Sequence, residues 1–441
     1  MHKIKVVSLG CAKNLVDSEV MTGLLRESGY EIVNGEENAD ILMINTCGFI
    51  DAAKEESINA IMEAASYKEK GRYRALVVAG CLAQRYKDEL LAEIPEIDGL
   101  IGTGEIPHIA RVVGEVVEGK KTVRVAAPTF IYDHQMPRDL STPAYSAYIK
   151  VADGCNNRCA YCAIPLIRGD YRSRPLESIE AEAFRLAAQG VREINLIAQD
   201  TTRYGLDLYG DYKLDKLLKE LVTIEGLEWL RVLYAYPTHF TDSLIEVMGS
   251  HEKICRYLDI PLQHADNAVL RAMNRQGSVE DVLSLIDKLR KHIPGLALRT
   301  SFIVGFPGET EQRFQNLVDF IKSVRFDRIG VFTYSLEEGT PAANLPGQVS
   351  DEVKEARKDL LVNIQQDISL AKNKEKIGQI MSVLIEGQEE SRSEVYYGRS
   401  RADAPEVDGT VIVSGKGLSP GDIVSVRVTH AYEYDLIGEV I

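Results

Sequence analysis

Eight consecutive residues concentrate the chemistry of this chain: Cys155-Asn156-Asn157-Arg158-Cys159-Ala160-Tyr161-Cys162, a C-x3-C-x2-C loop. Three thiolates are thereby offered to one metal centre. An iron–sulfur cube held by cysteine wants four ligands, so three leave one iron open to something else. A zinc knuckle is the alternative, because clustered cysteines also build structural zinc sites. Zinc would need a fourth protein ligand, from a downstream C-x2-C or a spaced pair of histidines. The nearest later thiol is Cys255 and the nearest later histidine is His239.

Three further cysteines lie in Ser8-Leu9-Gly10-Cys11, Asn45-Thr46-Cys47-Gly48 and Ala79-Gly80-Cys81, separated by 36 and 34 residues. That spacing is one strand–helix unit each time. Apolar runs at 5–9, 41–45, 75–79 and 100–102 read as strands, and the periodic stretches 15–27, 52–66, 85–93 and 106–117 as helices. Short apolar strands between helices indicate a parallel sheet covered on both faces. Each cysteine would then end a strand at the carboxyl edge, where such sheets bind ligands. Flanking glycines let backbone approach a bulky group, so the three read as a second cluster site. Three independent buried thiols are the alternative.

Periodicity is lost over 120–143, where Pro128, Pro137 and Pro143 mark a linker. Strands are then expected at 148–152, 193–198, 230–234, 257–261, 297–304 and 329–334, and helices at 177–188, 213–223, 279–291 and 311–324. Six such units, with the triplet loop after the first strand, predict a partial (β/α)6 barrel whose chemistry sits at the strands' carboxyl mouth. A helix over 351–374 leaves the barrel. Short alternating strands at 381–385, 409–413 and 423–429 then predict a small antiparallel β-barrel. The expected organisation is 1–119, an α/β domain with three cysteines; 120–143, a linker; 144–375, the barrel core; and 376–441, the β-barrel.

At 441 residues the chain is long enough for about three domains, each with a core. With 45% hydrophobic and 27% charged residues it is neither disordered nor fibrous. The start, Met1-His2-Lys3-Ile4-Lys5-Val6-Val7-Ser8, is too short in its apolar run for a secretory signal and reads as a first strand. No stretch approaches a membrane span, so the expected location is the cytoplasm, with no membrane partner. In a reducing compartment the seven cysteines are ligands or buried thiols. Cys255, outside both sets, reads as an inert small hydrophobe before a strand. A net charge of −15 disfavours an unspecific grip on nucleic acid and suits a basic protein partner.

The triplet loop closely resembles that of the radical S-adenosylmethionine superfamily. There the open iron chelates the amino and carboxylate groups of S-adenosylmethionine, and reduction yields a 5′-deoxyadenosyl radical. Ser8-Leu9-Gly10-Cys11, Asn45-Thr46-Cys47, Gly80-Cys81, the triplet loop and Arg299-Thr300-Ser301-Phe302-Ile303-Val304-Gly305-Phe306-Pro307-Gly308-Glu309-Thr310 together resemble the methylthiotransferase family over practically the whole chain. The last barrel is similar to a TRAM domain. Gly10-Cys11-Ala12-Lys13-Asn14-Leu15-Val16-Asp17-Ser18-Glu19 and Arg401-Ala402-Asp403-Ala404-Pro405-Glu406-Val407-Asp408-Gly409 resemble the protein-modifying RimO branch rather than the transfer-RNA branch, MiaB. Residues 376–441 hold six basic and eleven acidic side chains, a poor surface for a phosphate backbone.

The resemblance implies two [4Fe-4S] clusters, one on Cys155, Cys159 and Cys162 and one on Cys11, Cys47 and Cys81, with S-adenosylmethionine at the first and sulfur for transfer at the second. The implied reaction adds a methylthio group to the β-carbon of an aspartate in small-subunit ribosomal protein twelve, free or in the ribosomal subunit. A low-potential donor such as flavodoxin or ferredoxin is implied as well. Methylthiolation of a transfer-RNA adenosine, and an iron–sulfur ribosome- or RNA-binding assembly factor, are the competing functions. Tyr161 is implied near the adenine, or is a loop aromatic covering the cluster. Gly305 and Gly308 are implied along the bound S-adenosylmethionine, or are turn residues. Gln199, Gln263 and Arg299 are candidates for polar contacts to it, with a structural hydrogen bond the alternative for each. No protein general base is assigned.

Overall fold

The fold is a computed structural model that describes residues 2–35 and 39–441; Met1, where the expected first strand opens, lies outside them. Lys3–Ser8, Ile41–Thr46 and Ala75–Gly80 are adjacent parallel strands of a six-stranded sheet, flanked by Glu31–Ile32 on one side and by Gly99–Ile101 and Thr122–Arg124 on the other. Alternate side chains of the central strands feed two apolar layers. Ile41 and Met43 pack with Val16, Val20 and Val112, whereas Leu42 and Ile44 pack with Ile61, Ala64 and Leu90. Helices Ala12–Glu27 and Ile109–Val117 therefore cover one face, and Asp51–Glu69 with Lys87–Glu93 the other.

A second parallel sheet runs in the order Arg328–Thr333, Ala297–Val304, Ile254–Asp259, Trp229–Val232, Glu193–Ile197, Ser146–Lys150. It is open, as a partial barrel requires. Ile149, Leu196, Val232, Leu258 and Leu298 pack outward against Ile179, Leu217, Leu289 and Leu317 of the helices Leu176–Ala188, Leu214–Leu221, Val279–His292 and Glu311–Val324. The inward positions are unusually polar: Glu193, Asn195, Arg231, Asp259 and Lys150 are all buried. Buried charges persist only when paired, so this concave face must find partners. Helix Asp351–Lys374 packs on the last strand and ends with Asn373 Nδ2 donating to the Tyr432 carbonyl at 2.9 Å.

The C-terminal unit is a closed five-stranded barrel of Ile380–Gln388, Val395–Ser400, Val411–Ser414, Leu436–Val440 and Ile423–Ala431. Four pairings are antiparallel, but Val411–Ser414 runs parallel to Leu436–Val440, so the barrel is not purely antiparallel as expected. Residues 401–409, between two of its strands, turn back into the concave face of the parallel sheet. Asp403 pairs with Arg328 at 2.8 Å, and Arg399 with Glu193 at 2.7 Å. Asp403 and Asp408, two of the eleven acids counted above as making 376–441 a poor surface for a phosphate backbone, have side chains only 4% and 1% exposed.

Two other expectations shift. The stretch 120–143 contributes the edge strand Thr122–Arg124, and its Arg138 is buried between Glu19 at 2.6 Å and Glu182 at 2.7 Å. Cys255 lies within strand Ile254–Asp259 rather than before it, fully buried beside Arg231. Among the described residues no helix is long and apolar enough to cross a membrane.

Candidate functional site

Cys11, Cys47 and Cys81 each follow directly on a strand or a short turn at the carboxyl edge of three neighbouring strands, the edge to which the strand–helix spacing assigned them. Two asparagines tie their loops together. Asn14 Nδ2 donates to the Leu9 carbonyl at 2.7 Å and the Thr46 carbonyl at 3.2 Å, while its Oδ1 lies 3.9 Å from Cys81 Sγ. Asn45 Nδ2 donates to the Asn14 carbonyl and to Ser18 Oγ, both at 2.8 Å. Gly10 and Gly80 are required by this closeness. Both have positive φ, and a Cβ would stand 2.7 Å from Cys47 Cβ at the first and 2.2 Å from Asn45 Oδ1 at the second.

The charge environment separates the three thiols. Burial pushes Cys81 up to about 12, offset in part by Arg168. Burial also raises Cys47. Cys11 reaches the surface, and there desolvation is outweighed by the Lys13 and Arg168 charges and by backbone N–H groups of Asn14 and Lys13, which hold it below the ordinary thiol range.

The loop of the other triplet is pinned by backbone bonds, Cys155 N to the Gly169 carbonyl at 3.0 Å and Ala160 N to the Met273 carbonyl at 2.8 Å. Asn157 Nδ2 donates to Asp200 Oδ2 at 2.9 Å, and His239 Nδ1 shares that oxygen at 2.9 Å. Arg275, buried, stands 3.8 Å from Cys159 Sγ and 3.3 Å from Tyr161 Oη. Burial raises Cys155 to about 11 and raises Cys162 further, each also feeling the other thiols.

Arg168 joins the two triplets. It ends the short helix Ile164–Arg168 that follows Cys162, and reaches across to the first sheet. Its guanidinium is 2.9 Å from Asp17, 3.0 Å from Asp153 and 3.5 Å from Cys81 Sγ. Lys150 bonds the same two carboxylates, at 2.9 Å in the case of Asp153. Both donor sets fit an iron–sulfur cluster: three thiols each, with glycine making room at the first set and a buried arginine beside each to balance thiolate charge. Among the described residues no three His, Cys, Asp or Glu side chains converge on one point as a single metal ion demands. A cube, whose thiolates bind separate irons, makes no such demand.

The other expected site residues divide. Tyr161 lies in the triplet loop against Arg275. Gln199 follows the strand Glu193–Ile197 and donates to Asp153 Oδ1 at 2.9 Å, leaving its buried Oε1 without a hydrogen bond among the described residues. Gln263 bridges by backbone to Ser301 and Ile303, both at 2.8 Å. Gly305 N donates to Glu309 Oε1 at 3.0 Å, and Gly308 N to the Gly347 carbonyl at 2.8 Å, both serving the turn after strand Ala297–Val304. Arg299 stands apart from the mouth. It is the third residue of its strand, on the concave face, and pairs with Asp259 at 2.9 Å and Asp408 at 3.5 Å. Arg168, Arg275, Asp200 and His239 carried no local signal in the sequence, because their partners come from other elements.

Comparison with known proteins places the chain in a family. Residues 3–102 match the uncharacterized protein family UPF0004, residues 149–321 the radical SAM superfamily and residues 377–441 the TRAM domain. The chain is 57% identical to the ribosomal protein uS12 methylthiotransferase RimO of Desulforamulus reducens, over 100% of both chains. It is 56% identical to that of Pelotomaculum thermopropionicum, over 100% of this chain and 99% of the relative, and 49% identical to that of Clostridioides difficile, over 100% and 99%. In fold it resembles the radical S-adenosylmethionine methyltransferase TsrM from Kitasatospora setae, with a TM-score of 0.59 at 17% identity over 78% of this chain and 74% of that one.

Proposed function

The chain belongs to the RimO family of ribosomal protein uS12 methylthiotransferases, and on that premise we propose how its residues divide the reaction. It is a radical S-adenosylmethionine methylthiotransferase, with an iron–sulfur cluster and S-adenosylmethionine as cofactors. Cys155, Cys159 and Cys162 hold one [4Fe-4S] cluster, where S-adenosylmethionine binds, and Cys11, Cys47 and Cys81 hold a second. The acceptor is the β-carbon of an aspartate of uS12, free or within the small ribosomal subunit. When bound, these groups supply reductive cleavage of the sulfonium, hydrogen abstraction from a C–H bond no side-chain base can ionise, and a methylated sulfur for transfer.

The observation that carries this reading is Arg168, which follows the second triplet in sequence and touches Cys81 of the first in space. One buried network of Arg168, Asp17, Asp153 and Lys150 fixes the two thiol sets relative to each other. Residues 401–409 close the concave face from below, with Asp403 on Arg328 and Asp408 on Tyr257. Asn157, Asp200 and His239 hold the triplet loop in shape. Asn156 and Arg158 of that loop are exposed, which suits approach by a low-potential donor such as flavodoxin or ferredoxin. The test is mass spectrometry of uS12 and transfer RNA from a strain lacking its own enzyme and supplied with this chain. A methylthio mass on a uS12 aspartate supports the reading; its absence, with a methylthio adenosine in its place, overturns it.

A further inference from the structure

The parallel sheet of the core is open, so it has two edges, and the fold treats them differently. Strand Ser146–Lys150, at one edge, is buried throughout and its outward backbone groups are bonded by side chains. The Lys150 amide donates to Tyr132 Oη at 3.2 Å, the Lys150 carbonyl accepts from Arg174 Nη1 at 3.1 Å, and the Tyr148 carbonyl accepts from Arg138 Nη2 at 2.7 Å. These side chains stand in for the missing neighbour strand.

Strand Arg328–Thr333, at the other edge, has no such cover. Arg299 and Ser301 give their carbonyls, and Ile303 its amide, to Ile260 and Gln263 on the far side, so by alternation Thr300, Phe302 and Val304 serve the last strand. In the observed register Gly330 and Phe332 then bond inward, while Ile329, Val331 and Thr333 turn their N–H and C=O groups outward. Among the described residues no strand or loop bonds them on that side. A bulge, a proline or an exposed lysine would blunt such an edge. The pairing is regular, the sequence Arg328-Ile329-Gly330-Val331-Phe332-Thr333 holds neither proline nor lysine, and Arg328 is committed to Asp403.

Gly330 is a second sign. A glycine inside a strand weakens it, and where there is no bulge it marks a close approach by a ligand or another backbone. It also lets the Phe332 ring lie back along the concave wall, 3.1 Å from where a Cβ would stand, and Phe332 is 48% exposed. The edge leads to the chemistry: Tyr334, directly after the strand, packs in one cluster with Phe306 and with Ala160 of the triplet loop.

We propose that strand Arg328–Thr333 is the docking edge for the substrate protein, and that an extended segment of uS12 carrying the acceptor aspartate adds to it as a further strand. Main-chain bonds to Ile329, Val331 and Thr333 hold the segment, alternate side chains enter the concave face past Phe332, and the aspartate is carried toward the triplet loop. This rests on the reading that uS12 is the acceptor.

Residue-resolved hydrogen exchange tests the edge directly. Reconstituted enzyme with S-adenosylmethionine and no reductant would be compared with and without uS12, free or in the small subunit, whichever form wild type modifies. Exchange at Ile329, Val331 and Thr333 should slow about tenfold or more on adding uS12, whereas Gly330 and Phe332 should already be slow without it. Val331→Pro removes one outward donor where an edge strand tolerates proline, and Val331→Ala loses side-chain packing while keeping the amide. Relative to Val331→Ala, Val331→Pro should raise KM for uS12 about tenfold, with iron content and saturation by S-adenosylmethionine unchanged. Unaltered exchange at the three outward amides, or equal KM in the two variants, would overturn the assignment. Protection that grows with enzyme concentration in the absence of uS12 would give the edge to a second copy of the chain and overturn it too. Where Val331→Pro does not fold, exchange in the wild type decides. Failure of the uS12 reading itself is separate and earlier: wild type leaves uS12 unmodified, and the docking assignment falls with it.

Discussion

The phenol of Tyr257, in the middle of the parallel sheet, donates a 2.7 Å hydrogen bond to Asp408 of the C-terminal barrel. Asp408 also accepts from the Ala404 amide at 2.9 Å and lies 3.5 Å from Arg299, so a segment between two barrel strands completes the polar floor of the sheet. The barrel is thus built into the core and is more than an appended binding module. Its contacts continue through Arg231, which donates to the Arg401 carbonyl at 2.8 Å, and through the apolar cluster that links Tyr257, Ala297 and Ala404.

Asp408→Ala is therefore expected to destabilise the protein by about 1–3 kcal/mol, the cost of leaving buried partners unsatisfied. Asp408→Lys, which sets an ammonium against Arg299, should cost more, roughly 3–5 kcal/mol. Glu406→Lys, at an exposed position two residues away, should stay within about 0.5 kcal/mol of wild type. Calorimetry of the three variants checks the order; equal effects at 406 and 408 would contradict the floor contact.

Acid should loosen the same junction. Burial alone would raise Glu193, but Arg399 and Arg231 outweigh it and hold the carboxylate at about 2 against an ordinary 4.5. The unfolded chain takes this proton near 4.5 and the folded one only near 2, so stability from this group is complete above the upper value and is lost as pH falls through the window. The loss amounts to about 3 kcal/mol. Melting temperature followed from pH 6 downward should fall more steeply in wild type than in Glu193→Gln between those values. Parallel curves would contradict the linkage.

The cysteine sets should be separable. Replacing Cys155, Cys159 and Cys162 together by Ala should remove about half of the iron and sulfide of reconstituted protein and abolish reductive cleavage of S-adenosylmethionine, since one of two cubes would be gone. Replacing Cys11, Cys47 and Cys81 together should spare cleavage and abolish methylthio product. Iron analysis and chromatography of 5′-deoxyadenosine decide it. A wild-type content of one cube, or cleavage lost in a folded variant that retains the other cube, would contradict the division of labour.

How much of this was legible in the sequence depended on range. The two thiol sets were, because cysteine types recur at local spacing and the strand–helix period carried Cys11, Cys47 and Cys81 to one sheet edge. Strand Ala297–Val304 and helix Glu311–Val324 were legible to the residue for the same reason, periodicity over many positions. Thr122–Arg124 was not, since three residues at a sheet edge carry no period. Arg299 was read as lying at or near a strand end, yet it is the third residue of Ala297–Val304 and alternation along the strand turns it to the concave face. Asp403 and Asp408 were read as surface because acids are seldom fully buried unless paired, and their partners Arg328 and Tyr257 stand far away in sequence. Arg168 and Arg275 escaped for that same reason: what each contacts is decided by packing between units.

The most direct measurement offers purified, anaerobically reconstituted protein both uS12 and unmodified transfer RNA in one reaction with reductant and S-adenosylmethionine, and scores both by mass. A methylthio group on a uS12 aspartate, with the transfer RNA unchanged, is the expected result. Methylthiolated adenosine beside an untouched aspartate would contradict it.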